Sequence, residues 1–493
     1  MSSLFTILNI ASRAMTMQQK NIQIIEQNVT NANTVGYHRQ EAVFKNGLPY
    51  GDLRFKGTSG GGQMGTGVLI EEIKRYSLEF FDDRYRSTVS NSKYWETQQT
   101  LLKQLETTLA ETSEDGLVAK LDSFWSGWQL LNGEPSNMAL RADLRDRAIA
   151  LVQAFNNRSA QLEKMRKDQD LTIRARVDEI NKIATQIAEL NREIPRVKAL
   201  RNQPNDMLDE RDRLVDRLSE ISGVQATTQA NGELIVSIGG HVLVVGLKTN
   251  PLTIVDDPNN ANLAKIKWQD DGLDFNPTNG ELLGLFNARD NIIVEQQQGL
   301  DTLAQTLHDK VNYVHEYGYS MHDPNGIPTP PPPPLPSDAT AYAFFALASP
   351  PGSIASRLRI DEHILDPDFG LANIAAAEGP GYAPGDGNNA REISDLQHGL
   401  FLNNNSTSMN DYYTYQVASL GLAVKRAQMN VRDYQNIITA LKEQREEIGG
   451  VSLNEEAIKL METQKAYNAA ARVVTAADEM LDRVINGMGR VGI

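Results

Sequence analysis

The sequence predicts a mainly α-helical, elongated protein with a small β insertion, in which discontinuous domains form layers and the N- and C-terminal helices pair as a coiled coil. Apolar and small residues recur in alternating steps of three and four near both ends of the chain, which is the heptad pattern of helices that pack along a narrow seam. Helical periodicity also fills most of the middle, where one stretch of alternating residues and glycine turns interrupts it.

The two heptad rows cover residues 4–32 and 453–488. Neither helix can bury its row alone, so the simplest arrangement pairs the two ends of the chain. Some seam positions are polar, and polar seam residues lower stability but fix the register and the number of partners. The predicted seam residues are Leu4, Ile7, Ala11, Ala14, Gln18, Asn21, Ile25, Asn28 and Ala32 at the N-terminal end, and Leu453, Ala457, Leu460, Gln464, Tyr467, Ala471, Val474, Asp478, Leu481, Ile485 and Met488 at the C-terminal end.

A turn is predicted directly after the first helix. Asn31, Asn33 and Gly36 tolerate the backbone conformations that end helices, and Gly36 can adopt the left-handed one. A short extended piece at 67–70 precedes a long run of helices, in which Pro195 should end or kink the longest helix. The predicted helices of this run cover residues 91–112, 116–131, 136–200 and 205–222.

The helical pattern changes after residue 223. Residues 224–275 alternate and contain turn signals, which predicts a small β domain with a hairpin formed by 234–238 and 241–246. Residues 340–389 are rich in glycine and proline, and we expect their short strands to rejoin this β domain. Two more helices are predicted at 280–319 and 406–449, and a run of five prolines, 330–334, predicts a stiff exposed loop.

These elements predict a nested organisation, with the chain ends paired and the β insertion farthest from them. The predicted segments are 1–50 and 450–493 for the terminal coiled-coil domain, 51–222, 280–322 and 401–449 for the helical bundle, and 223–279 and 323–400 for the β-rich insertion with its proline-rich loop.

Composition excludes several classes of function. The chain of 493 residues has 48 basic and 63 acidic residues, a net charge of -15, and no cysteine. An acidic chain without basic clusters is a poor candidate for nucleic-acid binding. No apolar run is long enough for membrane insertion, and the N-terminus lacks the basic residues and cleavage site of a Sec signal peptide.

The search for catalytic and ligand-binding residues predicts no catalytic residue, no cofactor and no metal site. The glycine-rich stretch 60–67 lacks the lysine of a phosphate-binding loop. His308, His315 and His322 are seven residues apart, about 10 Å on a helix, so we interpret them as scattered surface histidines. The charged stretch 206–217 is interpreted as a solvated face with contacts between residues four apart. A secreted enzyme with its active site in the β domain is therefore disfavoured.

The position of the heptads favours assembly. A lone pair of helices of this length is marginal in water, so the seams should gain stability by packing against other copies. A head-to-tail interface of this kind generates open helical polymers. Polymerisation through the chain ends is therefore the hypothesis that the pattern supports.

The stretch 28–40 carries a resemblance to a known family. Its residues Asn28, Asn31, Asn33, Gly36, Tyr37, Arg39 and Gln40 resemble the N-terminal signature of bacterial flagellar axial proteins, and the ending Gly-Tyr-x-Arg-Gln is most similar to the FlgK family of hook–filament junction proteins. His38 stands where that family would lead us to expect a small polar residue. Further similar stretches, in the same order, are 65–68, 80–86, 209–216, 280–290 and 450–456.

The resemblance implies a structural, non-enzymatic protein that joins hook to filament and is required for filament assembly. The terminal helices would form an inner tube with the middle domains outside. The implied partners are other copies of the chain, the flagellar hook protein, hook-associated protein 3, and a cytoplasmic export chaperone at the C-terminal region. Type III export without a cleavable signal would place it in the extracellular flagellum. Another axial protein, a rod or hook subunit, is the alternative, which the helix-rich stretch 79–222 disfavours.

Overall fold

The computed structural model describes residues 2–47, 65–109, 116–321, 342–379 and 382–487. The predicted proline loop, His322 and Met488 lie outside the described residues, as does most of the glycine-rich stretch 60–67. The α-helices are α1 (Ser2–Thr30), α2 (Glu79–Thr108), α3 (Leu117–Gly133), α4 (Met138–Ala199), α5 (Asn205–Ile221), α6 (Gly280–Asn287), α7 (Ile293–Tyr317), α8 (Ile354–Arg357), α9 (Glu362–Leu365), α10 (Asn388–Asp395), α11 (Met409–Gly449) and α12 (Leu453–Asp482).

The strands are short and antiparallel. Those of the described residues form one four-stranded sheet, in the order β3-β4-β5-β6, and three two-stranded sheets, β1-β2, β7-β8 and β9-β10. The strands are β1 (Gln40–Asn46), β2 (Val68–Arg75), β3 (Val224–Thr228), β4 (Leu234–Ile238), β5 (His241–Val245), β6 (Lys248–Thr249), β7 (Leu252–Asp257), β8 (Leu263–Trp268), β9 (Phe345–Leu347) and β10 (Leu358–Ile360).

The predicted long helices are confirmed, and α4 makes the molecule elongated. With 62 residues, α4 is about 93 Å long. Its first turn is capped by the Asn137 side chain, and Pro195 lies inside its last turns without ending it. Helix α2 begins twelve residues before the predicted start, because Glu79 and Asp82 favour a helix N-terminus and Asp82 and Val89 already belong to its buried face.

One core fills the helical body. Phe124, Trp125 and Trp128 of α3 have no exposed surface and pack among α4, α7 and α11. The residues after 341 join this core and not the β domain, which corrects our expectation for 340–389. Phe344 and Phe345 lie 5.9 and 5.6 Å from the Phe124 ring. Their backbone N–H groups donate to the Asn312 amide of α7, which binds this segment to the body.

A second core joins the C-terminal half of α4, helix α5 and the strands β3–β8. The predicted hairpin is confirmed as β4 and β5. Asn191 of α4 is buried, and its amide accepts from Leu234 N (2.9 Å) and donates to Leu234 O (2.8 Å). The small β domain is therefore attached along the long helix.

His315 is a buried core residue, which corrects its interpretation as a surface histidine. Its Nδ1 donates to Tyr342 O (2.9 Å), and its Nε2 accepts from Ala375 N (3.0 Å). Burial lowers its pKa to about 4, so the ring is neutral in the folded protein at neutral pH. It joins α7 to the segment that follows residue 341.

None of the helices in the described ranges combines the length and the apolar character that crossing a bilayer requires.

Candidate functional site: the terminal helix pair and its joint

The two ends of the chain pack against each other as antiparallel helices. Asn21 Nδ2 of α1 donates to Thr463 Oγ1 of α12 (3.0 Å), and Asn28 Nδ2 donates to Glu456 Oε2 (3.0 Å). From the second contact to the first, α1 moves seven residues toward its N-terminus while α12 moves seven residues toward its C-terminus. The two helices therefore run in opposite directions. We call α1 and α12 the terminal pair; that they supercoil as a coiled coil stays a prediction.

The N-terminal row largely faces the partner helix. Ala11, Ile25 and Asn28 are buried, and Leu4, Ala14, Gln18 and Asn21 are half-buried. Ile7, in contrast, is 40% exposed. The row is therefore covered best at the C-terminal half of α1. Strands β1 and β2 also pack against this helix.

The C-terminal row is only half correct. Four predicted residues spaced by seven are buried or half-buried, namely Leu460, Tyr467, Val474 and Leu481, and Ala471 is also half-buried. At three other predicted positions the buried residue is the one immediately before the predicted residue. Glu456, Thr463 and Ala477 are buried in place of Ala457, Gln464 and Asp478. The prediction that Gln464 and Asp478 lie in the seam is wrong: both are exposed, as are Leu453, Ala457 and Ile485. Small residues along α12 fit either phase, and the Asn28–Glu456 contact sets the observed one.

Asn28 is the central residue of the joint between the terminal pair and the body. It is 1% exposed, and its amide makes four hydrogen bonds. Its Nδ2 donates to Gln40 O and Glu456 Oε2, while its Oδ1 accepts from Gln40 N and Tyr37 Oη. One side chain thus links α1, the start of β1 and α12. An asparagine amide, with two donors and an acceptor, is suited to this position.

The turn after α1 is stabilised locally. Asn31 Nδ2 donates to Gln27 O (3.0 Å), and its Oδ1 accepts from Thr34 Oγ1 (3.1 Å). Gly36 adopts φ 82°, the left-handed conformation predicted for it. Asn33 is exposed at the tip.

Tyr37, Arg39 and Gln40 each connect the turn to a different element. Burial, followed by the nearby carboxylates of Asp209, Asp206 and Glu456, raises the pKa of Tyr37, which keeps its phenol as a donor to Asn28. Arg39 N donates to Gly449 O (2.8 Å), and its guanidinium forms an ion pair with Glu456 (3.1 Å). Gln40 donates to Asp206 (3.2 Å) and accepts from Asn205 (3.0 Å) on α5.

A row of carboxylates on α5 forms the other half of the joint. Asp209 pairs with Arg75 (2.6 Å), and His38 Nδ1 lies 2.8 Å from the same carboxylate. The next acid, Asp212, contacts Arg75 (2.6 Å) and Arg86 (3.3 Å). Asp216 contacts Arg86 (2.6 Å) and Arg445 of α11 (3.3 Å).

This row corrects the interpretation of 206–217 as a solvated face. Asp209 and Arg211 are buried, and the acids pair with cations from β2, α2 and α11 rather than with neighbours four residues away. Burial alone would raise the pKa of Asp212, but the guanidinium groups of Arg75 and Arg86 lower it on balance. The row therefore holds the elements together as ion pairs.

Sequence reasoning missed Arg75, Arg86 and Arg445, although one signal was present. Asp209, Asp212 and Asp216 are spaced by three and four, which places like charges on one helix face. Such a row destabilises an isolated helix and implies external cations. No group of side chains within the described ranges is arranged to hold a metal ion, and the paired acids serve the joint.

Comparison with known proteins finds similarity to flagellar proteins. Residues 102–328 match the family model described as the flagellar hook-associated protein FlgK helical domain, and residues 442–487 match the one described as the flagellar basal body rod FlgEFG protein C-terminal. The match to the FlgK helical domain separates the chain from rod and hook subunits.

Several relatives match along nearly the whole chain. Flagellar hook-associated protein 1 of Bacillus subtilis (strain 168) is 28% identical over 518 residues, 99% of each chain. The protein of the same name from Salmonella typhimurium is 24% identical over 559 residues, 98% of this chain and 99% of that one. The solved flagellar hook junction protein FlgK from Burkholderia pseudomallei has the same fold, with a TM-score of 0.61 and 16% identity over 74% of this chain and 99% of that chain. Along nearly its whole length the chain is similar to the FlgK flagellar hook-associated proteins, and this similarity supports a structural and not an enzymatic role.

Proposed function

We propose that the chain forms the junction between hook and filament by polymerisation of its terminal helices, and that filament assembly requires it. Similarity to the FlgK hook-associated proteins over nearly the whole chain supports this role. The observation that carries the proposal is the uncovered apolar surface on the terminal pair.

That surface lies on the side of α12 that faces away from α1. Ile458, Met461 and Met480 are 53%, 54% and 54% exposed, and Val473 is 44% exposed. On α1, Phe5 is 52% exposed. The four α12 residues are spaced by three, twelve and seven positions and form two groups of exposed apolar side chains, which we together call the outer row. Several exposed apolar side chains on one helix mark a protein–protein contact. Polymerisation would bury this row against neighbouring copies.

The pair thus has two faces with different tasks. Leu460, Tyr467, Val474 and Leu481 face α1 within one chain. The outer row of Ile458, Met461, Val473 and Met480 is left for other copies. The predicted assembly residues Leu453 and Ile485 are 53% and 64% exposed. Leu453 lies seven residues before Leu460, and Ile485 lies four residues after Leu481, so they stand at the two ends of the face that packs on α1.

The remaining partners follow from the same role. We infer contacts with the flagellar hook protein on one side and hook-associated protein 3 on the other. Before assembly the exposed row of α12 would need a cover, which supports a cytoplasmic export chaperone at the C-terminal region. Type III export would deliver the chain to the extracellular flagellum.

The test introduces charge into the outer row. Met461→Glu combined with Val473→Glu should leave the fold intact, because both side chains are about half-exposed, yet abolish filament growth on hooks. Gln186→Glu on the exposed side of α4 adds charge away from the pair and should leave filaments unchanged. Normal filaments with the double variant would contradict the proposal. Removal of residues 453–493 should likewise abolish assembly while the body stays folded.

A further inference from the structure

A second uncovered row runs along α11 in the body. Tyr415, Leu422, Met429 and Ile437 are 69%, 61%, 49% and 47% exposed. Their spacing of seven, seven and eight residues places them on one side of the helix. The opposite side, with Tyr413, Leu420, Val424, Ala427 and Val431, is buried, mainly against α2. The exposed row on α11, from Tyr415 to Ile437, spans about 33 Å at 1.5 Å per residue.

Gly421, beside this row, provides an independent observation. Glycine inside a helix lowers stability, so a packing reason is expected for it. For Gly127, Gly284 and Gly299, which lie in the middle of their α-helices, a Cβ would touch Leu144, Thr97 and Gln416 respectively. A Cβ on Gly421 would meet nothing within 4 Å, as is also true of Gly133 at the end of α3. Gly421 is the mid-helix glycine with open space beside it, which leaves room there for the backbone of another molecule.

The charge around the row indicates the character of the partner. Lys425, Arg426 and Arg432 are exposed on or beside it, against the single acid Asp433. None of the three cations forms an ion pair with the residues that the structure describes. The surface that binds this row therefore has to be acidic. Another copy of the chain can supply such a surface, because the chain carries a net charge of -15.

Charge also decides between the two ways in which copies can meet. An antiparallel contact of α11 with itself, centred on Met429, would set Arg426 against Arg432 and Lys425 against Asp433, and a parallel one would set each charge against its equivalent. The face carries three cations and one acid, so either symmetric contact brings two net positive surfaces together, which disfavours both. A contact between this face and a different surface of the next copy is heterologous, the type that builds open assemblies.

We propose that the outer face of α11 is a lateral contact surface that binds an acidic surface of a second copy of this chain, outside that copy's α11. The contact rests on the proposed assembly function and adds a body-to-body interface to the one made by the terminal pair. Gly421 lets the neighbouring backbone approach, and the three cations select its acidic side.

Crosslinking in assembled flagella tests this contact directly. Leu422→p-benzoylphenylalanine is introduced in cells that carry the variant as their sole copy, and isolated flagella are irradiated. We expect a crosslinked dimer of the chain in which mass spectrometry locates the partner residue outside 409–449. Leu171 of α4, 64% exposed, receives the same probe as the matched control and should give several-fold less dimer.

Other crosslinking results overturn the contact. These are no dimer from residue 422 in normally assembled flagella, a crosslink within one chain, a crosslink to α11 of the second copy, or one to a different protein. The absence of the chain from isolated hook–filament junctions would refute the proposed function itself, and the lateral contact with it.

A second variant separates the contact from folding. Gly421→Leu replaces a poor helix former with a good one at an open position, so the melting temperature of the monomer should stay equal or rise. The added side chain should block close approach and lower the number of filaments per cell several-fold. Unchanged filament number with this stable variant would overturn the proposal.

Discussion

The terminal pair and the helical body use opposite means to hold their helices together. In the body, Trp125, Leu121 and Leu303 are completely buried, and most polar groups lie outside. In the pair, the buried set includes Asn28, Glu456 and Thr463, while Met461 and Met480 lie in solvent. Apolar packing therefore makes the body stable on its own. In the terminal pair, polar contacts fix the orientation of the two helices, and apolar side chains stay exposed for contacts with other molecules.

The largest expected difference concerns a core tryptophan. Trp128→Ala in the body should lower the free energy of unfolding by about 3–5 kcal/mol, because a fully buried aromatic side chain is lost and leaves a cavity. Urea unfolding followed by circular dichroism measures this change. A loss of under about 1 kcal/mol would show that the body core is not what stabilises the molecule.

A dependence on pH should also separate the two regions. The pKa of His315 is about 4 in the folded body and about 6.5 when unfolded, so the unfolded chain binds more protons between these values. Stability should therefore fall as pH is lowered from about 6.5 to 4, by roughly 3 kcal/mol in total. Urea unfolding across this pH range measures it, and His315→Gln should flatten the profile. An equally steep profile in the variant would assign the effect to other groups.

The joint should respond more selectively. Asn28→Ala removes four hydrogen bonds and leaves part of the buried Glu456 carboxylate unpaired, which should lower the free energy of opening the terminal pair by about 2 kcal/mol. Native-state hydrogen exchange should show faster exchange in α1 and α12, and unchanged exchange in α3 and α4. Asn31→Ala, which loses only local contacts of the turn, is the control. Faster exchange throughout the body would mean that the two regions unfold as one unit.

The smallest expected change concerns the outer row of α12. Met480→Ser on the outer row of α12 should alter the free energy of unfolding of the monomer by no more than about 0.5 kcal/mol, because the side chain is 54% exposed. The measurement is the same urea titration. A clear loss would show that this face already packs within one chain.

The fold followed well from the sequence where periodicity is long and uniform. The limits of α3, α4 and α5 lie within two residues of those predicted, since the chain marks them with Pro135, Asn137, Pro204 and Gly223. The segment after residue 341 was misassigned because its glycines and prolines predict turns but do not show which core they cover. Phe344 and Phe345 were available as core residues, yet only the contact with Phe124 shows where they pack.

The site was predicted in part. The motif 28–40 contains the residues that build the joint, but the pattern could not show that Asn28 faces Glu456 or that Arg39 reaches Gly449, since these contacts link distant parts of the chain. The phase of α12 was misjudged for a related reason. Ala470 and Ala471 are both small enough to face α1, so the helix itself allows two rotations.

The pairing of the two chain ends has a consequence for how the protein is made. The contact between Asn21 and Thr463 joins residues 442 positions apart. A ribosome completes almost the whole chain before α12 can pack against α1, so the first helix to be synthesised is among the last to be fully buried. Closing so long a loop is slow compared with the folding of local helices. During synthesis, and in any passage of the chain as an extended thread, α1 and α12 are therefore apart and accessible to other molecules.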